Sequence, residues 1–273
     1  SSASETSPSA YSVPSAEPTT AESLSSVTTA PSASPTEASS APSSYGSATP
    51  APTSGGGGQS GGGSYIRTYK GDGSTNDGWP SQSDWLSFDN MWEANQDILK
   101  SSCSSSFGQI DNSEQELGDI KQSIEDVSSS TGVDKTFVLA IMLQESNGCV
   151  RVKTTSYSHA NPGLFQSHEG SGTCNDGSNV QDPCPESEIH QMIEDGVAGT
   201  TSGDGLKQLL DAATGNGAQK YYEAARMYNS GSVDPSGNLG AGVATHCYSS
   251  DIANRLTGWS AGASTCDAGS VGA

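Results

Sequence analysis

Apolar positions follow no helical or strand period over residues 1–64; the first sustained pattern begins near Ser83. There Trp85, Phe88, Met91, Trp92 and Asn95 recur at three- and four-residue spacing, which predicts a helix with one face on a core. A second helix is expected over about Ser113 to Val127, with Leu117, Ile120, Ile124 and Val127 on one side. Asp134 is placed to cap a third, which runs to Glu145. Eight of the nine residues from Thr136 to Gln144 are apolar or Thr, so this helix is expected to be buried all round. Further helices are expected at about Ser187 to Val197, Gly205 to Ala213, Ala218 to Tyr228 and Asp251 to Leu256. Between Ser146 and Pro185, glycines, Pro162, Pro183 and two cysteines interrupt the pattern. Only the pieces Cys149 to Thr155 and Gly163 to Ser167 are strand candidates there. The chain reads as mostly α, or α+β: helices around a central buried helix, with a small β or irregular insertion.

Composition divides the 273 residues into two parts. Residues 1–64 hold 28 Ser plus Thr, eight Pro, eight Gly and four Glu, with no Lys or Arg. Such a stretch has too little apolar surface to offset its ordering entropy. It reads as an O-glycosylated stalk ending in a glycine linker, GGGGQSGGGS, and leaves 65–273 as one domain. The chain carries −20; removing the four Glu of the stalk leaves −16, from 11 basic and 27 acidic residues. That balance argues against nucleic acid and anionic membrane surfaces as partners. No apolar run is long enough to span a bilayer.

Six cysteines, Cys103, Cys149, Cys174, Cys184, Cys247 and Cys266, all lie in the domain, and none form a C-x-x-C pair. An even, scattered set suggests three disulfides and an oxidising compartment. Cys174 with Cys184 is the one pairing that the spacing favours. A chain opening at Ser1 without methionine fits a precursor cleaved after a signal peptide, so the protein is expected to be secreted. The GDGSTNDG run after Lys70 has the look of a calcium loop, but Asp77 stands where an EF-hand needs glycine and no glutamate follows in register. It is expected to be a surface loop.

Glu145 is the residue that stands out chemically. On the helix it shares a face with Phe137 and Ile141, so its carboxylate loses hydration and its pKa should rise. A carboxylic acid protonated near neutrality is what acid-catalysed glycoside cleavage requires. Ser146-Asn147-Gly148 ends the helix at the same point, which leaves open the plainer reading of a glutamate turned to solvent at a helix terminus.

Three motifs join this residue to a known group. The run Gly132 to Ser146 (GVDKTFVLAIMLQES) resembles the first motif of the lytic transglycosylase and goose-type lysozyme superfamily. Gly163-Leu-Phe-Gln166 is similar to its Gly-Leu-Met-Gln motif, and Tyr228-Asn229-Ser230-Gly231 to its Tyr-Asn-x-Gly motif. Asp251 to Leu256 resembles the closing helix of such domains. The resemblance spans about Gln115 to Trp259 and is nearest to secreted fungal lysozyme-like (muramidase) members. It implies Glu145 as catalytic acid and base, with Ser146 contacting substrate near the scissile bond. It also implies Gln166 on the cleft floor and the backbone of Gly163 to Phe165 holding an N-acetyl group. Tyr228 and Asn229 would face Glu145, the phenol orienting the carboxyl or stabilising an oxocarbenium ion. Leu164 and Phe165 are expected in the core.

The chain also departs from that pattern. An inverting glycosidase needs a second carboxylate roughly 6.5–9.5 Å from the acid. At the two positions where goose-type lysozymes carry aspartates, this chain has Tyr157 and His168. Transglycosylases manage without, because the sugar's own 6-hydroxyl attacks and leaves a 1,6-anhydro end. Asp176, Asp182, Glu169 and His168 are the candidate bases for a hydrolytic route, and Tyr157, Tyr221 and Tyr222 the candidates for stacking on sugar rings. The expected activity is therefore β-1,4 cleavage of peptidoglycan, with chitin or chitosan as alternative polymers and a catalytically inactive wall-binding protein as the rival. The expected partner is polysaccharide, the expected state a monomer, and neither metal nor organic cofactor is implied.

Overall fold

The structure, a computed structural model, describes residues 63–156 and 159–272. Nearly all of the expected stalk, together with Tyr157, Ser158 and Ala273, lies outside the described residues. Gly63, read above as linker, is already held by the fold. The Ser260 amide donates to the Gly63 carbonyl at 3.0 Å, and the Gly63 amide to Ser260 Oγ at 3.1 Å.

Ser87 caps α1 (Phe88–Ala94), accepting from the Asn90 amide, and Phe88, Met91 and Trp92 are buried as their spacing requires. Trp85 lies outside the helix. Asn95 breaks it by donating its side-chain amide to the Met91 carbonyl, and α2 (Gln96–Phe107) follows. No periodic signal marks α2, because five serines dilute it and only Leu99, Ser102 and Cys103 are buried. A disulfide from Cys103 to Cys149 supplies what its face lacks. In α3 (Glu114–Thr131), Ser113 and Glu116 form a reciprocal capping box, Leu117, Ile120, Ile124 and Val127 are buried, and Gly132 ends the helix in the left-handed region.

The central helix is α4 (Lys135–Ser146). Asp134 caps it through the Thr136 and Phe137 amides, and every residue from Thr136 to Leu143 is buried. Asn147 (φ 52°) and Gly148 (φ 76°) close it. A Cβ on Gly148 would sit 2.4 Å from Leu99 Cδ2, so the turn depends on glycine there.

Strands β1 (Thr155–Ser156) and β2 (Ala160–Asn161) form an antiparallel pair, with Thr155 opposite Asn161. This departs from the sequence reading at Gly163 to Ser167, which is a turn. Gly163 and Gln166 are both left-handed (φ 74° and 48°), which no extended strand allows. The rest is helical: α5 (Glu186–Ala198), α6 (Leu206–Ala212), α7 (Ala218–Ser230), α8 (Tyr248–Leu256) and the short α9 (Ala268–Val271). α8 begins three residues before the expected Asp251. Helices α1, α3 and α8 surround α4, α3 packs on α5, and α7 on both α6 and α8. The fold is mostly α with a small sheet, as the pattern predicts. Among the described residues no helix is long and apolar enough to cross a membrane.

Three disulfides staple it: Cys103–Cys149, Cys174–Cys184, the pairing that spacing favoured, and Cys247–Cys266. The Gly71–Gly78 segment is a surface turn whose acids bond backbone amides, Asp77 that of Asp72 and Asp72 that of Ser74. Asn254, fully buried on α8, straps the N-terminal segment down by accepting from the Ile66 and Arg67 amides and donating to the Arg67 carbonyl.

One buried ion pair joins α3 to the loop region. Arg151 and Glu116 are each 1% exposed and form a bidentate pair, with Asp182 on the outer side of the guanidinium. Burial alone would raise the Glu116 pKa, but amide donors from Ser113 and Cys184 together with Arg151 bring it below the usual value. Removing one partner strands a buried charge, so Glu116→Ala should cost about 3–5 kcal/mol in chemical denaturation. Because the folded pKa is depressed, this stabilisation is present above the ordinary carboxylate pKa and is lost as pH falls through the folded one. Wild type should therefore lose more stability than Glu116→Ala in acid.

Candidate active site

A cavity of about 360 Å³ opens where the C-terminus of α4, the turn after β2, the end of α5 and the C-terminus of α7 meet. Glu145 forms part of its wall, with Gln166 and His168 from the turn, Asp195 from α5, Asp204 from the loop before α6, and Tyr228 and Asn229 from α7.

Glu145 sits in the last turn of α4, after the buried run from Thr136 to Leu143. Burial of the carboxyl pushes its pKa up to about 7, and the Tyr248 hydroxyl, donating to Oε1 at 2.5 Å, holds it from rising further. The negative end of the helix dipole acts in the same direction as burial. The group is thus an acid poised near neutrality, with one phenol fixing its orientation. Burial first, and the Glu145 charge second, push the Tyr228 and Tyr248 phenols above their ordinary value. Both stay protonated and serve as donors.

Sequence reasoning assigned that orienting phenol to Tyr228. The structure gives it to Tyr248, the first residue of α8; Tyr228 lines the cavity but donates to the Phe165 carbonyl at 2.8 Å. That bond leaves the Gly163 to Phe165 segment less free to hold a ligand than expected. Leu164 and Phe165 are fully buried, as expected. Gln166 reaches the wall, and both ends of its amide are engaged: Nε2 donates to the Gly163 carbonyl and Oε1 accepts from Thr155 Oγ1. Gly163 does not line the cavity. Its role is steric, because a Cβ would meet Met192 Cγ at 2.6 Å. Asn229 is on the wall, its Oδ1 accepting from the Thr245 amide.

Other expectations fail on burial. Ser146 is 1% exposed, and its hydroxyl donates to the Met142 carbonyl and accepts from the Gly148 amide, so it caps α4 instead of facing the cavity. Tyr222 is buried between Trp85 and the Pro80 carbonyl, Tyr221 is half-buried and packs edge-on to Trp85 and Phe137, and neither lines the cavity. Tyr157 lies outside the described residues. Among the candidate bases, Asp182 is paired with Arg151, Glu169 with His159, and Asp176 caps its own turn. None of the three lines the cavity; His168 does.

Two carboxylates that sequence reasoning passed over do line it. Asp195 is buried and spent on the Ser171 and Gly172 amides and on Gln191, bracing the turn against α5. Asp204 is exposed on the cavity wall and makes no hydrogen bond or ion pair among the described residues. Tyr248 carried no signal because it follows Cys247 in an aperiodic stretch, and Asp204 none because it sits in a glycine-flanked loop.

No protein-family model matches the chain, and no curated protein or solved structure is similar to it at a significant level.

A buried acid with a raised pKa holds its proton longer in the folded state than in the unfolded chain. The corresponding stability is complete below the ordinary glutamate pKa and is lost as pH rises through about 7. Glu145→Gln, which keeps the shape and the Tyr248 contact, should therefore be more stable than wild type near pH 8, by up to roughly 3 kcal/mol. The difference should vanish near pH 4 in a thermal-denaturation series.

Proposed function

We propose that this domain is a glycosidase of the lysozyme and lytic transglycosylase type, acting outside the cell on a β-1,4-linked aminosugar polymer. The observation that carries the reading is the Glu145 carboxyl: raised to about 7, oriented by Tyr248 and set in the wall of a polar cavity. The three motifs support it, since Glu145, Gln166, Tyr228 and Asn229 all come to that one cavity. The three disulfides accord with an oxidising compartment, and so with secretion.

In the proposed reaction Glu145 gives its proton to the glycosidic oxygen as the bond to C1 breaks, leaving positive charge on C1 and the ring oxygen. The Glu145 carboxylate so formed lies beside that charge. A water then attacks C1 and passes a proton to Asp204, the unengaged carboxylate on the same cavity, giving a free reducing end. In this reading Asp204 takes the part for which Asp176, Asp182, Glu169 and His168 were candidates. If the sugar's 6-hydroxyl attacks instead, its proton returns to Glu145 and the product is a 1,6-anhydro sugar.

The domain's −16 charge favours a cationic, partly deacetylated chitin over an anionic bacterial wall at neutral pH, and that preference weakens in acid as carboxylates protonate. Peptidoglycan stays the first substrate on the strength of the motifs.

Mass spectrometry of soluble products from peptidoglycan, chitin and chitosan tests the reading. Wild type should release reducing-end fragments from at least one polymer, and Glu145→Gln should release about 1,000-fold less or none. Asp204→Asn should lower reducing ends at least about tenfold and shift what remains toward 1,6-anhydro ends. Anhydro ends alone from wild type would remove Asp204 from the mechanism. Silence on all three polymers, with binding retained, would favour the inactive wall-binding protein. Since Glu145 must enter protonated, the rate should fall as pH rises through about 7. Tyr248→Phe, which deletes the bond that lowers this pKa, should move that alkaline limb upward while reducing the maximum.

A further inference from the structure

Beside the cavity, two segments converge on one cluster of three side chains. His159 stands just before β2, and His168 and Glu169 follow the turn that carries Gln166. His159 Nδ1 lies 2.9 Å from a Glu169 carboxylate oxygen, and the two imidazole rings have centroids 4.5 Å apart, tilted at 54°. One ligand atom from each of the three residues falls within 4.8 Å of the other two. We propose that His159, His168 and Glu169 form a binding site for a divalent transition-metal ion of the zinc type, at the lip of the cavity.

The backbone is shaped to present these groups. Glu169 is held left-handed at φ 50°, an uncommon conformation for a glutamate. Its amide donates to the Ala160 carbonyl at 2.8 Å, which ties it to the strand that follows His159. The His168 carbonyl accepts from Thr200 Oγ1 at 2.8 Å, tying the same pair to the loop after α5. The strained residue thus has its carboxylate turned onto an imidazole while both side chains stay exposed.

The donor set selects the ion. Two imidazole nitrogens and one carboxylate oxygen suit zinc, copper or nickel, whereas calcium and magnesium call for all-oxygen shells. A tetrahedral zinc at ~2.0–2.1 Å from each donor would draw the three atoms to about 3.4 Å of one another. All three side chains are exposed, so rotation about their own torsions supplies that movement without disturbing the core. The excess of 27 acidic over 11 basic residues in the domain concentrates cations near this surface. Three protein ligands leave a fourth position for water. Because His168 lines the cavity, a bound ion would clip the β-hairpin and the turn together at its mouth. The sequence reading implies no metal; the three residues, in the order H-x8-H-E, are brought together by the fold.

Isothermal titration of the chelator-stripped full chain with zinc alone decides the point. One ion per chain should bind, and His159→Ala or His168→Ala should each weaken it by at least the 10- to 100-fold that losing an outer-shell partner costs. Glu169→Gln should weaken it as well, whereas His190→Ala, on α5 and not part of the cluster, should leave it unchanged. Zinc should raise the melting temperature of wild type and not that of His159→Ala, and magnesium should give no heat. No zinc binding, or binding that survives both His159→Ala and His168→Ala, overturns the site. The readout needs no catalytic activity, so it stands or falls apart from the proposed glycosidase reaction.

Discussion

A helix apolar on every face has to be enclosed, and its last turn then fixes where any polar group on it can go. In α4 the residues from Thr136 to Leu143 are all covered by neighbouring helices. Glu145, half-buried at the helix end, forms part of the wall of the cavity that opens there. Enclosure supplies both of its properties at once: it raises the pKa by desolvation, and it restricts the carboxyl to a position where one phenol can hold it. The parts around α4 make that enclosure rigid. Asn254 straps the N-terminal segment over α8, the helix carrying Tyr248, and the Arg151–Glu116 pair joins α3 to the loop that follows α4.

Much of this was legible in the sequence. Periodicity located α3, α4 and α5 because each buries a continuous face, and Asp134 announced its cap. Two helices escaped: the one-turn α9, and α2, which is serine-rich and depends on a disulfide that periodicity does not register. Glu145, marked by its spacing on the helix, and Gln166, marked by the motif resemblance, both line the cavity. Residues whose role depends on which way a side chain turns did not follow so simply. Ser146 adjoins Glu145 in sequence, yet its hydroxyl turns back along the helix, and Tyr228 spends its proton on a carbonyl.

The long-range partners were invisible for a related reason. Tyr248 meets Glu145 across 103 positions, and Asp204 enters the cavity from a loop with no pattern of its own. His159, His168 and Glu169 are close in sequence but spread over a hairpin and a turn, so no ligand spacing reveals them. In each case the signal is tertiary: two chains of local reasoning that are each unremarkable until the fold superimposes them. The chemistry of the cavity follows from that superposition: the Glu145 carboxyl, the Asp204 carboxylate and the Tyr228 phenol line about 360 Å³, and Tyr248 holds Glu145 from outside that lining.

The central claim is that the protein holds Glu145 as an acid near neutrality, and carboxyl-carbon NMR of selectively labelled protein reads this directly. With Glu145→Gln used to assign the resonance, the Glu145 carboxyl should titrate near pH 7, apart from the other glutamates. A Glu145 signal that titrates in the ordinary range near pH 4.3 would contradict the account, because a carboxylate ionised throughout has no proton to give.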